Sequence, residues 1–430
     1  MVSIHKFAAR MGAGTALASL LIASVAGSLS VPVNAAESLK IGLHYPASGR
    51  YKEHGFAQAE GALLAVEEIN SRGGVLGRKL ELLSDDTASE PERAANNAAT
   101  QAQAGALMML GGSSSEVARS LGREASRQNI IYFATQASAN ELTGVKGHRN
   151  IFRESISARM GAKAIGNYLQ TLPGEHKFFY ITASDSWGFS AEASMREVTG
   201  TEDTAAHPNV PVQYPKPSQK DLENALAAAM NSDANVLVLS QYGKDLATIL
   251  QLAQKRNVQE RFTIVVPVVD LETAREAGAG AMDGVIGAMA WNYDVPAALN
   301  LDDARLFVNR YTDRFQHSPS AGAASAYNVV HQYADAVRRA GTTDTGKVIS
   351  ALENYSYTGI KGDEQWRAFD HQNLQTVYVV KGRPRADVMK DKNKENYFVM
   401  LAETPGADAA ISEADWKQER RNNGKPERLE

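Results

Sequence analysis

Three stretches carry side chains suited to holding a small molecule. Gly111-Gly112-Ser113-Ser114-Ser115-Glu116 lies where an apolar run, 106–110, gives way to a helical pattern. Glycines let the backbone approach a ligand closely. A helix start offers unpaired N–H groups and a partial positive charge, to which Ser113 and Ser114 add hydroxyl donors. That combination suits a carboxylate or another small polar group. Ser113 and Glu116 also have capping-box spacing, so Ser113 is expected to cap the helix in either case. The second stretch, Ala134-Thr135-Gln136-Ala137-Ser138, follows the next apolar run and offers N–H and Oγ groups to the same anion. The third is a scattered set: Trp187 in Ser184-Asp185-Ser186-Trp187-Gly188, Tyr242 in Ser240-Gln241-Tyr242-Gly243, and Asp270 after Val268-Val269. An aromatic facing a crevice closes over an apolar or cationic group, and a carboxylate there neutralises an ammonium. Ordinary packing is the alternative for each aromatic, and a helix N-cap is the equal alternative for Asp270.

Other chemistry is missing. There is no G-x-x-x-x-G-K-S/T, no H-E-x-x-H and no G-x-S-x-G, and Gly278-Ala279-Gly280 with Gly284 misses dinucleotide spacing by one. His371, in Phe369-Asp370-His371-Gln372, has no second ligand at metal spacing and reads as a hairpin-turn histidine. No cofactor, metal or catalytic group is expected. The absence of cysteine excludes disulfides, thiolate metal sites, a cysteine nucleophile and a lipid-modified N-terminal cysteine. With 45 Lys+Arg against 49 Asp+Glu and a net charge of −4, there is no basic surplus for a nucleic-acid partner.

The elements that must position these residues alternate. Short apolar runs at 39–43, 80–84, 106–110 and 129–134 read as strands, separated by helical patterns such as Ala59, Ala62, Leu63, Val66 and Ile69. Ser89 and Glu92 repeat the capping-box spacing before the second helix. A second block predicts strands at 177–183, 210–214, 235–240, 262–266 and 284–289, with helices at 158–172, 189–199, 221–230 and 244–255. Helices follow at 302–315, 323–340 and 347–354, then a hairpin of 366–369 and 375–380 around Asp370-His371-Gln372-Asn373. From about Arg383 the chain is highly charged and is expected to lie on the surface. Strand–helix alternation predicts parallel sheets with helices on both faces, and two such sheets leave a crevice outside their strand ends.

Residues 1–35 read as a secretory signal: His5, Lys6 and Arg10, an apolar stretch, then Val33-Asn34-Ala35-Ala36. Cleavage after Ala35 removes two bases and no acid, leaving an exported chain more acidic than the whole.

The sequence resembles the solute-binding proteins of branched-chain amino-acid-type ABC transporters, the leucine/isoleucine/valine-binding protein family with the type I periplasmic binding fold. The resemblance covers about residues 38–380. It rests on Lys40-Ile41-Gly42 through Ser48-Gly49, Gly61-Ala62 with Ala65-Val66-Glu67-Glu68-Ile69-Asn70, and Gly73-Gly74-Val75-Leu76-Gly77-Arg78-Lys79-Leu80. Asp85-Asp86, Gly111-Gly112-Ser113-Ser114 and Trp187-Gly188 continue it in order. It implies an α/β protein of two doubly wound lobes joined by a three-crossover hinge. One lobe would be 38–152 plus 288–360 and the other 153–287 plus 361–385; the charged C-terminal tail at 386–430 and Phe369-Asp370-His371-Gln372 depart from the family. It also implies a ligand carboxylate on Ser113, a loop contact at Gln136 and Ser138, an aromatic position at His54, a second-lobe ring at Trp187 and an ammonium-binding acid near Asp270. His54 departs from the family's aromatic and Gln136 from its usual small residue, while Arg50 and Tyr51 add a charge and a ring near the cleft. The implied function is capture of a small polar or carboxylated solute for an inner-membrane ABC permease and ATPase. A sensing subunit is the second reading and a periplasmic enzyme the third. A monomer free in the periplasm, not a lipoprotein, is expected.

Overall fold

A computed structural model describes residues 37–430. The expected signal at 1–35 lies outside them. No helix among the described residues is long and apolar enough to cross a membrane.

The chain builds two lobes around two separate sheets. The first sheet is wholly parallel and holds β1 (Leu39–Tyr45), β2 (Leu80–Asp86), β3 (Ala106–Gly111), β4 (Ile131–Ala134) and β5 (Ile151–Arg153), in the order β2-β1-β3-β4-β5. The second begins with five parallel strands: β6 (Phe178–Ala183), β7 (Asn209–Val212), β8 (Val236–Ser240), β9 (Thr263–Val266) and β10 (Ile286–Met289). After it the chain makes a small antiparallel sheet of β11 (Ser356–Gly359), β12 (Gly362–Trp366) and β13 (Asn373–Leu374). Two antiparallel strands, β14 (Val377–Gly382) and β15 (Phe398–Thr404), then complete the second sheet in the order β15-β14-β10-β9-β8-β6-β7.

Successive side chains of a strand point to opposite faces, so a strand covered on both sides must be apolar throughout. Met108 and Leu110 pack into one cluster while Met109, between them, packs into another. Phe179 and Ile181 against Phe178 and Tyr180 do the same in the second lobe. Each buried side chain of this size contributes roughly 1.5–3 kcal/mol. With no cysteine in the sequence, this packing carries the stability.

The helices at 302–352 return to the first lobe. Gly61, in helix Lys52–Ser71, lies so close to helix Ala321–Ala340 that a Cβ there would come 2.1 Å from the Ala323 carbonyl oxygen. The chain thus passes between lobes after β5, after β10 and again before β14.

Four local expectations are corrected. The second helix is Pro91–Gln103, capped by no side chain at Glu90, and Ser89 sits in a left-handed conformation; proline's fixed φ starts the helix without a capping box. The third helix, Ser115–Gln128, begins one residue later than predicted, with Ser114 as N-cap accepting from the Val117 N–H. The expected hairpin partner 375–380 belongs instead to the large sheet: Val377, Tyr378, Val379 and Val380 are buried on both faces, which only a central strand satisfies. The charged segment after Arg383 is not a surface tail. It supplies β15 and helix Glu413–Asn422, whose Trp416 is buried and donates to the Thr143 carbonyl at 2.8 Å.

Candidate functional site

The C-terminal ends of strands from both lobes converge on one cavity of about 70 Å³. On the first lobe, Gly111 (φ +127°) and Gly112 (φ +87°) turn the end of β3 sharply, and a Cβ on Gly111 would come 2.0 Å from the His44 carbonyl oxygen. The turn delivers Ser113, Ser114 and Ser115 to the cavity wall. β4 delivers Thr135, Gln136 and Ser138 beside them.

One residue organises this wall. Gln58, buried in helix Lys52–Ser71, donates to Ser113 Oγ at 2.6 Å and to Gln136 Oε1 at 2.7 Å, and accepts from Thr135 Oγ1 at 2.5 Å. Ser113 and Ser114 both accept from protein N–H groups, leaving both hydroxyl protons to donate. Gln136 accepts through its oxygen, so its amide N–H groups remain, packed where Gly322 has no Cβ. The wall is therefore a set of donors at the N-termini of helices Ser115–Gln128 and Ala321–Ala340, whose caps, Ser114 and Ser320, are neutral. Such ends favour anions.

The second lobe presents rings and acids. Trp187 lines the cavity with its indole N–H donated to the Gln241 carbonyl at 3.3 Å. Tyr242 and Tyr214 lie beside it, and the Tyr214 hydroxyl meets that of Tyr51, from the first lobe, at 3.1 Å. Asp185 caps helix Ser186–Thr199 by accepting from Gly188 N–H at 2.8 Å; burial pushes its carboxyl up to about 6. Asp270 caps helix Leu271–Ala277 and also meets His54 Nε2 at 3.1 Å, so the N-cap reading holds beside a second contact. Burial works against a charged His54, but the Asp270 charge and hydrogen bond, with Glu272 and Glu276 further off, lift it to about 9. Burial likewise opposes ionised Asp270, and the His54 charge overcomes it, holding that carboxyl below its ordinary value. Glu272 stands next to them, pushed up by burial and by the Asp270 charge.

Of the nine residues singled out from sequence, eight line the cavity: Tyr51, Ser113, Ser114, Gln136, Ser138, Trp187, Tyr242 and Asp270. His54 does not; it stands behind Asp270, fully buried, its ring 4.8 Å from that of Tyr242. Gly243 makes room for this cluster, holding φ +52°, and a Cβ there would strike the Tyr51 ring at 2.8 Å. Arg50 reaches across to Asp245 of the second lobe. His371 is a packing residue, stacked on Phe152 at 3.9 Å.

Sequence reasoning missed the floor. Lys361 and Glu154, both buried, pair at 2.7 Å and line the cavity, with Ser325 donating to Glu154. Behind them Glu364 is pushed up to about 8 by burial, against the pull of Lys361. Nothing in their local sequence sets these charges apart. Asp185 and Gln58 did carry signals: one lies two residues past a strand end, and the other is polar on an apolar helix face.

Comparison with known proteins agrees with this fold. The family model described as periplasmic binding protein matches residues 38–387. The Leu/Ile/Val-binding protein homolog 4 of Brucella melitensis is 26% identical over 406 residues, covering 90% of this chain and 92% of that protein. Among solved structures, the branched-chain amino acid transporter substrate binding protein LivJ of Streptococcus pneumoniae, in complex with isoleucine, superposes with a TM-score of 0.70 at 21% identity, covering 86% of this chain and 99% of that one. A solute binding protein of an ABC transporter from Rhodopseudomonas palustris, in complex with 3,4-dihydroxybenzoic acid, gives 0.73 at 18% identity, covering 86% and 98%.

Proposed function

The chain belongs to the periplasmic binding protein family, and on that premise we propose that it captures a small solute with an anionic or strongly polar end between its lobes and delivers it to an ABC-type inner-membrane permease. The observation that carries this is the donor wall of the first lobe: Ser113 and Gln136 each have a hydrogen-bonded partner that leaves an O–H or N–H free at the cavity. Trp187, Tyr242 and Tyr214 supply the apolar and aromatic faces opposite. The protein acts as a monomer, and the lobes close on the solute about the three crossovers. Solved structures of this fold in complex with isoleucine and with 3,4-dihydroxybenzoic acid each hold a carboxylated compound, which supports this reading.

The test is titration calorimetry after a thermal-shift screen of amino acids, aromatic acids, amides and polyols. Ser113→Ala with Ser138→Ala should weaken the best ligand at least tenfold, since hydrogen bonds to a charged group contribute about 1.5–3 kcal/mol each. Unchanged affinity would remove the donor wall from the site.

A further inference from the structure

An amino acid needs two receptors, donors for its carboxylate and a negative charge for its ammonium. The first is present on the donor wall. The second has to come from the three acids that line the cavity, Glu154, Asp185 and Asp270. Glu154 pairs with Lys361 at 2.7 Å, both side chains fully desolvated. Asp270 pairs with His54 at 3.1 Å and accepts from Thr273 N–H at 2.8 Å. Asp185 has no cation beside it but faces the N-terminus of its own 14-residue helix and accepts from Gly188 N–H. Two of the acids are thus paired with a cation from within the protein, and Asp185 is held by backbone N–H groups alone. Lys361, the one cation on the lining, is matched by Glu154 in turn.

The balance is uneven between the lobes. Both helix N-termini on the first lobe have neutral serine caps, whereas two on the second have aspartates. The first wall keeps free donors for an anion, while the lining acids of the other are already engaged, Asp270 by His54 and Asp185 by the N–H groups of its own helix. An ammonium entering here would displace an existing partner or lose its water for none, and burying an unpaired charge is strongly unfavourable.

We infer that the ligand is a carboxylic acid with an apolar or aromatic body and no ammonium group, and that His54 is the positioning residue that sets this choice by occupying Asp270. This rests on the reading that the donor wall takes an anion. Rings and aliphatic groups at Tyr51, Trp187, Tyr214, Tyr242, Ile156 and Val268 surround the remaining space, which accounts for the apolar body.

The experiment compares matched pairs by calorimetry at pH 7: 4-methylpentanoate with leucine, 3-phenylpropanoate with phenylalanine, and propanoate with alanine. In the natural protein the acid of the best-binding pair should bind at least tenfold more tightly than its amino acid. His54→Phe releases Asp270 and should move that ratio at least tenfold toward the amino acid; a merely structural role would weaken both members alike. Asp185→Asn should leave the ratio unchanged. Tighter binding of the amino acid by the natural protein overturns the inference and leaves the anion-binding reading standing, and this comparison needs no variant to fold. A ratio unmoved by His54→Phe, or selective loss of amino-acid binding in Asp185→Asn, overturns the role of His54. Binding of amides or polyols alone, with no carboxylate bound, overturns both readings together.

Discussion

The mouth and the floor of the cavity are both closed by buried charge, yet they are held in different ways. At the mouth, His54 meets Asp270 across 216 residues of chain and Arg50 meets Asp245 across 195, each pair joining one lobe to the other. No nearby covalent link holds these partners together, so they meet only where the lobe surfaces meet. At the floor, Lys361 and Glu154 lie in the segments where the chain crosses between lobes. Around them Asn328, Tyr357, Glu364 and Gln375 satisfy the remaining donors and acceptors. A pair embedded in the crossovers keeps its partners whatever the lobes do, whereas a pair at the rim returns to water when they part. The same chemistry therefore joins crossover segments in one place and facing lobe surfaces in the other.

The largest expected effect falls at the floor. Lys361→Met leaves Glu154 and Glu364 buried without a cation, and breaking such a pair costs about 3–5 kcal/mol. Urea denaturation would measure it, and a loss below about 1 kcal/mol would erase the distinction from the mouth. His54→Phe is expected to cost less, about 1–3 kcal/mol, because Asp270 can regain water as the lobes separate. Small-angle scattering of that variant should show a larger radius of gyration, while Lys361→Met, where folded, should not.

Titration separates the two regions further. Glu364 is raised in the folded state, so its contribution is complete below the ordinary glutamate value and is lost as pH rises through about 8. His54 is also raised, so its contribution is complete below about 6.5 and is lost as pH rises through about 9. Stability measured from pH 6 to 10 should fall in both steps, with Glu364→Gln removing the lower and His54→Phe the upper. A single step insensitive to either substitution would refute the assignment. The smallest effect lies on the wall between mouth and floor. Ser114→Ala removes a helix cap and should cost about 1 kcal/mol of stability, while Ser113→Ala should change stability less than it changes ligand affinity. Equal stability losses would return the capping role to Ser113.

How much was legible follows from what each feature depends on. Alternating apolar runs and helical faces revealed both parallel sheets, and strand ends in such sheets pointed to Ser113, Gln136, Trp187 and Asp270. The capping register slipped by one because Ser113, Ser114 and Ser115 are chemically alike, and only the Gly111-Gly112 turn decides which meets the Val117 N–H. The charged end of the chain looked like solvated surface because acids and bases outnumber its apolar residues, yet Phe398 and Trp416 suffice to dock it.

Local physics is what a sequence carries openly: periodicity, helix signals, and hydroxyls placed at strand ends. By that route the sequence determined the doubly wound architecture and the strand-end residues of the donor wall, since each is read from residues within a few positions of one another. Tertiary structure alone decided which charges are spent. That His54 occupies Asp270, that Lys361 matches Glu154, and that Gln58 orients three side chains all depend on contacts between segments 55 to 216 residues apart. Electrostatic pairing follows distance in space and the loss of water, and neither is written in the spacing along the chain.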